Sequence, residues 1–303
     1  MKKVLVVVGP TAVGKSSLGV DLAKMFNGEI ISGDSIQIYR QLNIGSAKID
    51  DKQKKVVPHH LIDIKDLKDG FSVAEFQKEA RSLIDVITKN GNLPIVVGGT
   101  GLYIKAVIYD YLFEDECKTN EDYDKFTNDE LYEKLLKYDP ISVEKIHINN
   151  RKRLIRALVM AENGKSKSMI LAKQQHKLIY DCLIIGLTTN RDALYQQIDM
   201  RVDKMINDGL LDEINHLIIQ DKDLFRRQAM QGIGYREWQD YYLGLKSQEE
   251  VVADIKKHSR QFAKRQYTWF NNQLTVDWFD INEIDYRTNI EAKVKRWLIN
   301  GSI

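Results

Sequence analysis

The apolar positions of this chain follow two rhythms. Some fall in short, almost uninterrupted runs. Val4-Leu5-Val6-Val7-Val8, Leu93-Pro94-Ile95-Val96-Val97 and Cys182-Leu183-Ile184-Ile185-Gly186-Leu187 read as strands covered on both faces, as strands of a parallel sheet are. Glu29-Ile30-Ile31-Ser32-Gly33-Asp34 is a shorter strand ending in an acid. Between these runs the apolar residues recur at helical spacing. Leu18, Leu22 and Met25 mark a helix over residues 17–26. Ser72 and Glu75 make a capping-box pattern ahead of a helix over 73–89, whose Phe76, Ala80, Leu83, Ile84 and Ile87 share one face. Strands alternating with helices predict an α/β fold, a parallel sheet flanked by helices.

The pattern changes at Phe113. Residues 113–130 carry eight acids against two lysines, and helical stretches follow near 131–138 and 142–146. Residues 113–180 are expected to form a mainly helical insertion in a core made of 1–112 and 181–303. Beyond the strand that ends at Leu187 the chain reads as mainly helical, over 191–222 and 248–271.

Composition narrows the classes. Of 303 residues, 43% are hydrophobic and 29% charged, as in soluble globular proteins, and the length suits a large domain with a second lobe. The net charge is +2, so any nucleic-acid surface must be local. Cys117 and Cys182 lie in no zinc or disulfide pattern, and reduced thiols in the cytoplasm are the simplest reading. No apolar run reaches the roughly 18 residues of a membrane helix, and the run ending at Gly9 is too short for a signal peptide. The pair His59-His60 would point to opposite sides of a strand and lacks a third metal ligand, so its expected role is structural.

The densest chemistry lies between the first strand and the first helix. Gly9-Pro10-Thr11-Ala12-Val13-Gly14-Lys15-Ser16 fits the phosphate-binding P-loop at every fixed position. Backbone N–H groups and the helix N-terminus converge there on an anion. Lys15 supplies a point charge and Ser16 a hydroxyl for a magnesium ion. The pattern specifies a phosphate or diphosphate, not ATP. Asp34 lies at the carboxyl end of a strand, where open α/β sheets bind ligands, and is expected to point into the same crevice as the P-loop; the lesser alternative is an ordinary helix cap. The strand ending at Val97 runs into Gly98-Gly99-Thr100, where many P-loop ATPases carry a magnesium-binding acid. Three basic sites stand out. Arg151-Lys152-Arg153 with Arg156 forms one. Lys256, Lys257, Arg260, Lys264 and Arg265, leading into Tyr267, Trp269 and Phe270, form the second, with Lys257, Arg260 and Lys264 on one helix face. Arg201 is the third. Such clusters are either solvated helix faces or, interleaved with aromatics, a track for a nucleic-acid backbone.

Several of these stretches together resemble the tRNA dimethylallyltransferase family. They are the P-loop, Asp34-Ser35-Ile36-Gln37-Ile38-Tyr39, Ile44-Gly45-Ser46-Ala47-Lys48, Pro58-His59-His60-Leu61-Ile62-Asp63 and Val97-Gly98-Gly99-Thr100-Gly101-Leu102-Tyr103. Arg153-Leu154-Ile155-Arg156-Ala157-Leu158, Arg201-Val202-Asp203, Gly232-Ile233-Gly234-Tyr235-Arg236 and Ala263-Lys264-Arg265-Gln266-Tyr267-Thr268-Trp269-Phe270 continue the match in order. The resemblance implies a P-loop NTPase-like core and transfer of a dimethylallyl group from dimethylallyl diphosphate. The acceptor would be the exocyclic amine of the adenosine 3′-adjacent to the anticodon in a tRNA anticodon stem-loop, giving N6-isopentenyladenosine. It implies magnesium (Mg2+) and no ATP. Apart from the resemblance, the expected location is cytoplasmic and the expected state a monomer. By the same match Asp34 is the general base, with Thr11 and Arg201 at the reacting diphosphate. Asp34, Ser35, Ile36, Gln37 and Thr100 would meet the tRNA, as would Lys152, Arg153, Leu154, Ile155 and Arg156. Gln231, Gly232, Ile233, Gly234, Tyr235 and Arg236 would join them, with Lys264, Arg265, Gln266, Tyr267, Thr268, Trp269, Phe270 and Asn271. Gln37 and Tyr39 are candidates to read or stack the target base. Ser46 stands where the family usually has Thr, and His147-Ile148-Asn149 where it usually has His-Pro-Asn. The rival readings are an ATP-dependent small-molecule kinase of the nucleotide type and an RNA-binding ATPase switch.

Overall fold

Six strands of the computed structural model, which describes residues 1–113, 122–165, 168 and 175–300, form one parallel sheet in the order β3-β2-β4-β1-β5-β6. They are β1 (Lys3–Val8), β2 (Gly28–Ser32), β3 (His59–His60), β4 (Leu93–Val97), β5 (Asp181–Thr188) and β6 (Asp277–Asp280). β1 lies inside the sheet, with Val6 in register with Val96 on one side and Ile184 on the other. Residues 4–8 are fully buried. Helices on both sides remove any need for a polar face, so these strands carry unbroken apolar runs rather than an alternation.

The connections are α1 (Lys15–Met25), α2 (Asp51–Lys54), α3 (Val73–Lys89) and α4 (Gly101–Ile108). α3 starts at its expected capping box: Glu75 N–H donates to Ser72 Oγ at 3.1 Å and Ser72 N–H to Glu75 Oε2 at 2.8 Å. Its Phe76, Ala80, Ile84 and Ile87 are buried. The two histidines of β3 are held by local partners. His59 lies in register with Ile30, His60 pairs through Nε2 with Glu29 Oε2 at 2.6 Å, and no cluster of three metal-ligating side chains exists among the described residues.

The chain divides into two compact units, residues 1–108 with 179–303, and residues 109–178. The second holds α5 (Asn128–Tyr138), α6 (Pro140–Val143) and α7 (Arg151–Glu162). It has its own core of Tyr123, Leu131, Leu135, Val143, Ile146, Leu154 and Leu158. Several acids of its entry segment act as caps. Glu130 closes a capping box with Thr127, and Asp139 caps α6 by accepting from Ser142 N–H at 3.1 Å. Cys117 and the acids from Glu114 to Glu121 lie outside the described residues.

The first unit continues with α8 (Arg191–Asn207), α9 (Leu210–Gln220), α10 (Trp238–Tyr242), α11 (Gln248–Gln273) and α12 (Tyr286–Asn300). The helical stretch expected over 191–222 consists of two helices, broken at Gly209, whose φ of +94° suits glycine and interrupts helical geometry. The C-terminal region is mainly helical, as expected; β6, Asp277-Trp278-Phe279-Asp280, is an addition that extends the sheet beside β5, and α12 sends Ile290 and Val294 into the sheet core. No helix of the described residues is long and apolar enough to cross a membrane.

Candidate active site

The carboxyl ends of β1, β2 and β4 open on one cavity of about 470 Å³, within the range of small-ligand sites. β1 delivers the P-loop. Gly9 sits at φ +143°, and a Cβ there would come within 2.5 Å of the Leu187 carbonyl on β5. The loop can therefore pass over the sheet only as glycine. Gly14 begins α1 with no side-chain cap, which leaves first-turn N–H groups for a ligand. Lys15 Nζ donates to the loop's own Pro10 carbonyl at 2.6 Å. Burial, aided by the nearby Arg201 charge and opposed by Asp34, brings the Lys15 pKa down to about 7. Burial also lowers the Arg201 pKa, with Asp34 opposing. Two desolvated cations facing one carboxylate make a site electrostatically suited to a bound anion.

Asp34 caps a turn and also lines the cavity. Its Oδ1 accepts from Ile36 N–H at 2.8 Å and Gln37 N–H at 3.3 Å, so it caps a turn. It also lines the cavity together with Thr11, Thr100 and Arg201. Oδ2 takes no hydrogen bond among the described residues and is available to a ligand.

The opposite wall is the loop carrying Gly232, Ile233, Gly234 and Arg236, with Arg265 from α11. A clamp holds this wall against the segment after β2. Glu213 on α9 accepts from the N–H groups of Asn43 and Ile44 at 3.0 and 2.8 Å and from the Tyr235 hydroxyl at 2.7 Å. Ser46 N–H donates to that same hydroxyl at 3.2 Å. Ser46 Oγ is itself spent on the Leu42 carbonyl at 2.6 Å, so serine serves the turn at this position. Sequence reasoning missed Glu213, because no local pattern links it to residues on another loop.

The structure divides the residues expected along tRNA. Lys152, Arg153 and Arg156 are exposed on α7, and Gln231, Arg236, Lys264, Arg265, Tyr267, Thr268 and Asn271 are exposed on the first unit. Ser35, Ile36, Ile155, Gly232, Ile233 and Trp269 are half-buried. Leu154, Gly234, Tyr235, Gln266 and Phe270 are buried. A contiguous helical run must turn part of itself inward, and of these buried residues Gly234 and Gln266 line the cavity. Tyr39 is also buried and lines the cavity, while the Gln37 amide accepts from the Ser32 hydroxyl and donates to the Ser46 carbonyl, so it is not free in the empty site. Nor do Lys257, Arg260 and Lys264 form one free track. Arg260 is held by both carboxylate oxygens of Asp199 on α8, at 2.6 and 2.8 Å, and Lys256 by Asp203 at 2.6 Å. Lys257 and Lys264 are exposed.

Residues 37–273 match the family described as IPP transferase. The chain belongs to that family. A tRNA dimethylallyltransferase from Anoxybacillus flavithermus is 49% identical over 287 residues, covering 93% of this chain and 91% of that one. The crystal structure of the full-length tRNA isopentenylpyrophosphate transferase from Bacillus halodurans has a TM-score of 0.76 at 41% identity, covering 100% of this chain and 98% of that one. A eukaryotic dimethylallyltransferase acting on tRNA has a TM-score of 0.85 at 29% identity, covering 99% and 80%. These likenesses place the chain among the transferases with a P-loop NTPase-like fold and favour that reading over the kinase. The metal question then rests on Ser16, which is exposed at the start of α1 with no hydrogen-bond partner among the described residues. One hydroxyl beside an anion site fits magnesium, which keeps most of its waters and binds mainly through substrate phosphates.

Proposed function

We propose that this protein transfers a dimethylallyl group from dimethylallyl diphosphate to the exocyclic amine of the adenosine 3′-adjacent to the anticodon of tRNA, in the cytoplasm, giving N6-isopentenyladenosine. The observation that carries the reading is one cavity lined by Thr11 of the P-loop, Arg201 and Asp34, a carboxylate with one oxygen that takes no hydrogen bond among the described residues, with the P-loop Lys15 close enough to feel the charges of Arg201 and Asp34. The diphosphate lies on the P-loop amides and Lys15. As the carbon–oxygen bond to diphosphate breaks, negative charge grows on the leaving group, where Lys15 and Arg201 stabilise it. Ser16 would help to hold a magnesium ion, which would supply further stabilisation of that charge when bound. The adenine amine is a weak nucleophile because its lone pair is delocalised into the ring. Asp34 Oδ2 accepts its proton as the new carbon–nitrogen bond forms, help typically worth about 10²–10⁴-fold.

The target base has to leave its stack to reach this cavity, and an anticodon-loop base is already partly unpaired, which lowers the cost. The exposed Lys264, Arg265, Tyr267 and Arg236 on the first unit, and Lys152, Arg153 and Arg156 on the second, contact the RNA. The test is incubation with unmodified tRNA and either labelled dimethylallyl diphosphate or labelled ATP. Prenyl label entering the RNA supports the reading; phosphoryl label moving instead overturns it.

A further inference from the structure

Helix α11 buries Val251, Ile255, Ala263 and Phe270. Gln266 shares that stripe and is 6% exposed. A primary amide in such a place needs its acceptor and its donors satisfied. Gln266 Oε1 accepts from Thr11 N–H at 2.9 Å, and Nε2 donates to the Gly99 carbonyl at 2.9 Å. One side chain from the C-terminal helix thus ties the loop after β1 to the loop after β4. The fit is close: a Cβ on residue 99 would lie 2.2 Å from Nε2. The amide can sit there only over glycine, which explains a glycine at the strand end where an acid would be unremarkable.

We propose that Gln266 is a positioning residue of the diphosphate site, a clip that sets the P-loop in its anion-binding shape. Two further features support this. Thr11 N–H is spent on Gln266, so the clip assigns the anion to the amides that follow. The next residue, Ala12, is held at φ +68°, a conformation unfavourable for a residue with a Cβ, which persists only where its surroundings over-determine it. A hydrogen bond on the preceding amide is such a restraint. Gln266 therefore acts through Thr11 and Gly99 rather than on the reacting atoms.

The inference rests on the P-loop being the diphosphate site, and not on prenyl transfer itself. The test therefore uses inorganic pyrophosphate as the probe. Gln266→Met keeps the volume and removes both hydrogen bonds; Gly99→Ala disturbs the same contact from the other side and remains informative if the first variant folds poorly. Each is expected to weaken pyrophosphate binding by about tenfold, the scale of one or two lost buried hydrogen bonds. The double variant should be little worse than the weaker-binding single, because both break one contact. In the prenyl-transfer assay KM for dimethylallyl diphosphate rises while the tRNA dissociation constant stays within twofold. A purely structural role would lower the melting temperature and the active fraction and leave the pyrophosphate affinity of the folded fraction unchanged. Pyrophosphate affinity within twofold of wild type in both singles overturns the clip. Weakened pyrophosphate binding in an enzyme that transfers no prenyl group would retain the clip and remove the proposed reaction.

Discussion

Replacing Lys15 should change how many protons the protein takes up when it binds a diphosphate. In the empty site Lys15 titrates at about 7, through burial first and the Arg201 charge second. A diphosphate placed against the P-loop outweighs both causes, since it supplies a close opposite charge. Lys15 then binds its proton firmly well above neutral pH. The proton missing from the empty protein is acquired on binding, roughly 0.1 at pH 6, 0.5 at pH 7 and 0.9 at pH 8 for a group with a pKa near 7. Between pH 6 and 9 the protonated fraction falls about 90-fold, and affinity for pyrophosphate falls with it, beyond any effect of the ligand's own titration. Calorimetry with inorganic pyrophosphate in buffers of different ionisation enthalpy reads the uptake directly. The Lys15→Met variant, measured alongside, subtracts the protons that belong to the ligand. The linkage has a second sign to check. The unfolded chain holds the Lys15 proton up to the ordinary lysine range, whereas the empty fold releases it near 7. Stability of the empty protein should therefore rise with pH across that window, and Lys15→Met should remove this rise. Equal proton uptake by wild type and variant at pH 8 would refute the reasoning.

Asp34→Asn keeps the turn-capping acceptor and removes the base, so turnover should fall by about 10²–10⁴-fold with tRNA affinity within a few-fold; near-normal turnover would remove Asp34 from its proposed role. Changing Lys257 and Lys264 together to Gln should flatten the log–log salt dependence of tRNA binding by roughly 1.4, at about 0.7 per phosphate contact on single-stranded RNA. Arg260→Gln should leave that slope unchanged and lower the melting temperature instead, because it frees Asp199; a slope change with Arg260→Gln would mean the ion pair opens on binding. Tyr235→Phe deletes the hydroxyl that joins Glu213 to Ser46 N–H, and should cost about 1–3 kcal/mol of stability in urea unfolding; no loss would show that the clamp contributes little.

What the sequence by itself determined is everything written in neighbouring residues. The P-loop depends on φ angles, glycines and a lysine within eight consecutive positions, and it folds as its spacing demands between β1 and α1. The capping box of α3 needs only residues three apart. The buried strands betray themselves because a covered strand has no polar face to show. The order of stretches along the chain was enough for the family, although no single stretch would have been. Other features required the tertiary structure, because they depend on which distant partner a residue meets. β6 is a short, half-buried edge strand bracketed by acids, and it is a strand only because β5 lies beside it. Arg260 looks like a free cation on its own helix until α8 brings Asp199 against both its nitrogen and its charge. Leu154, Tyr235 and Phe270 belong to basic or aromatic runs, yet packing turns them inward. Gln266 sits among exposed lysine, arginine and tyrosine in sequence, and only the approach of α11 to the ends of β1 and β4 makes it a buried bridge. Local covalent neighbours set backbone geometry and periodicity; the pairing of charges and amides across loops is set by packing, and no spacing along the chain encodes it.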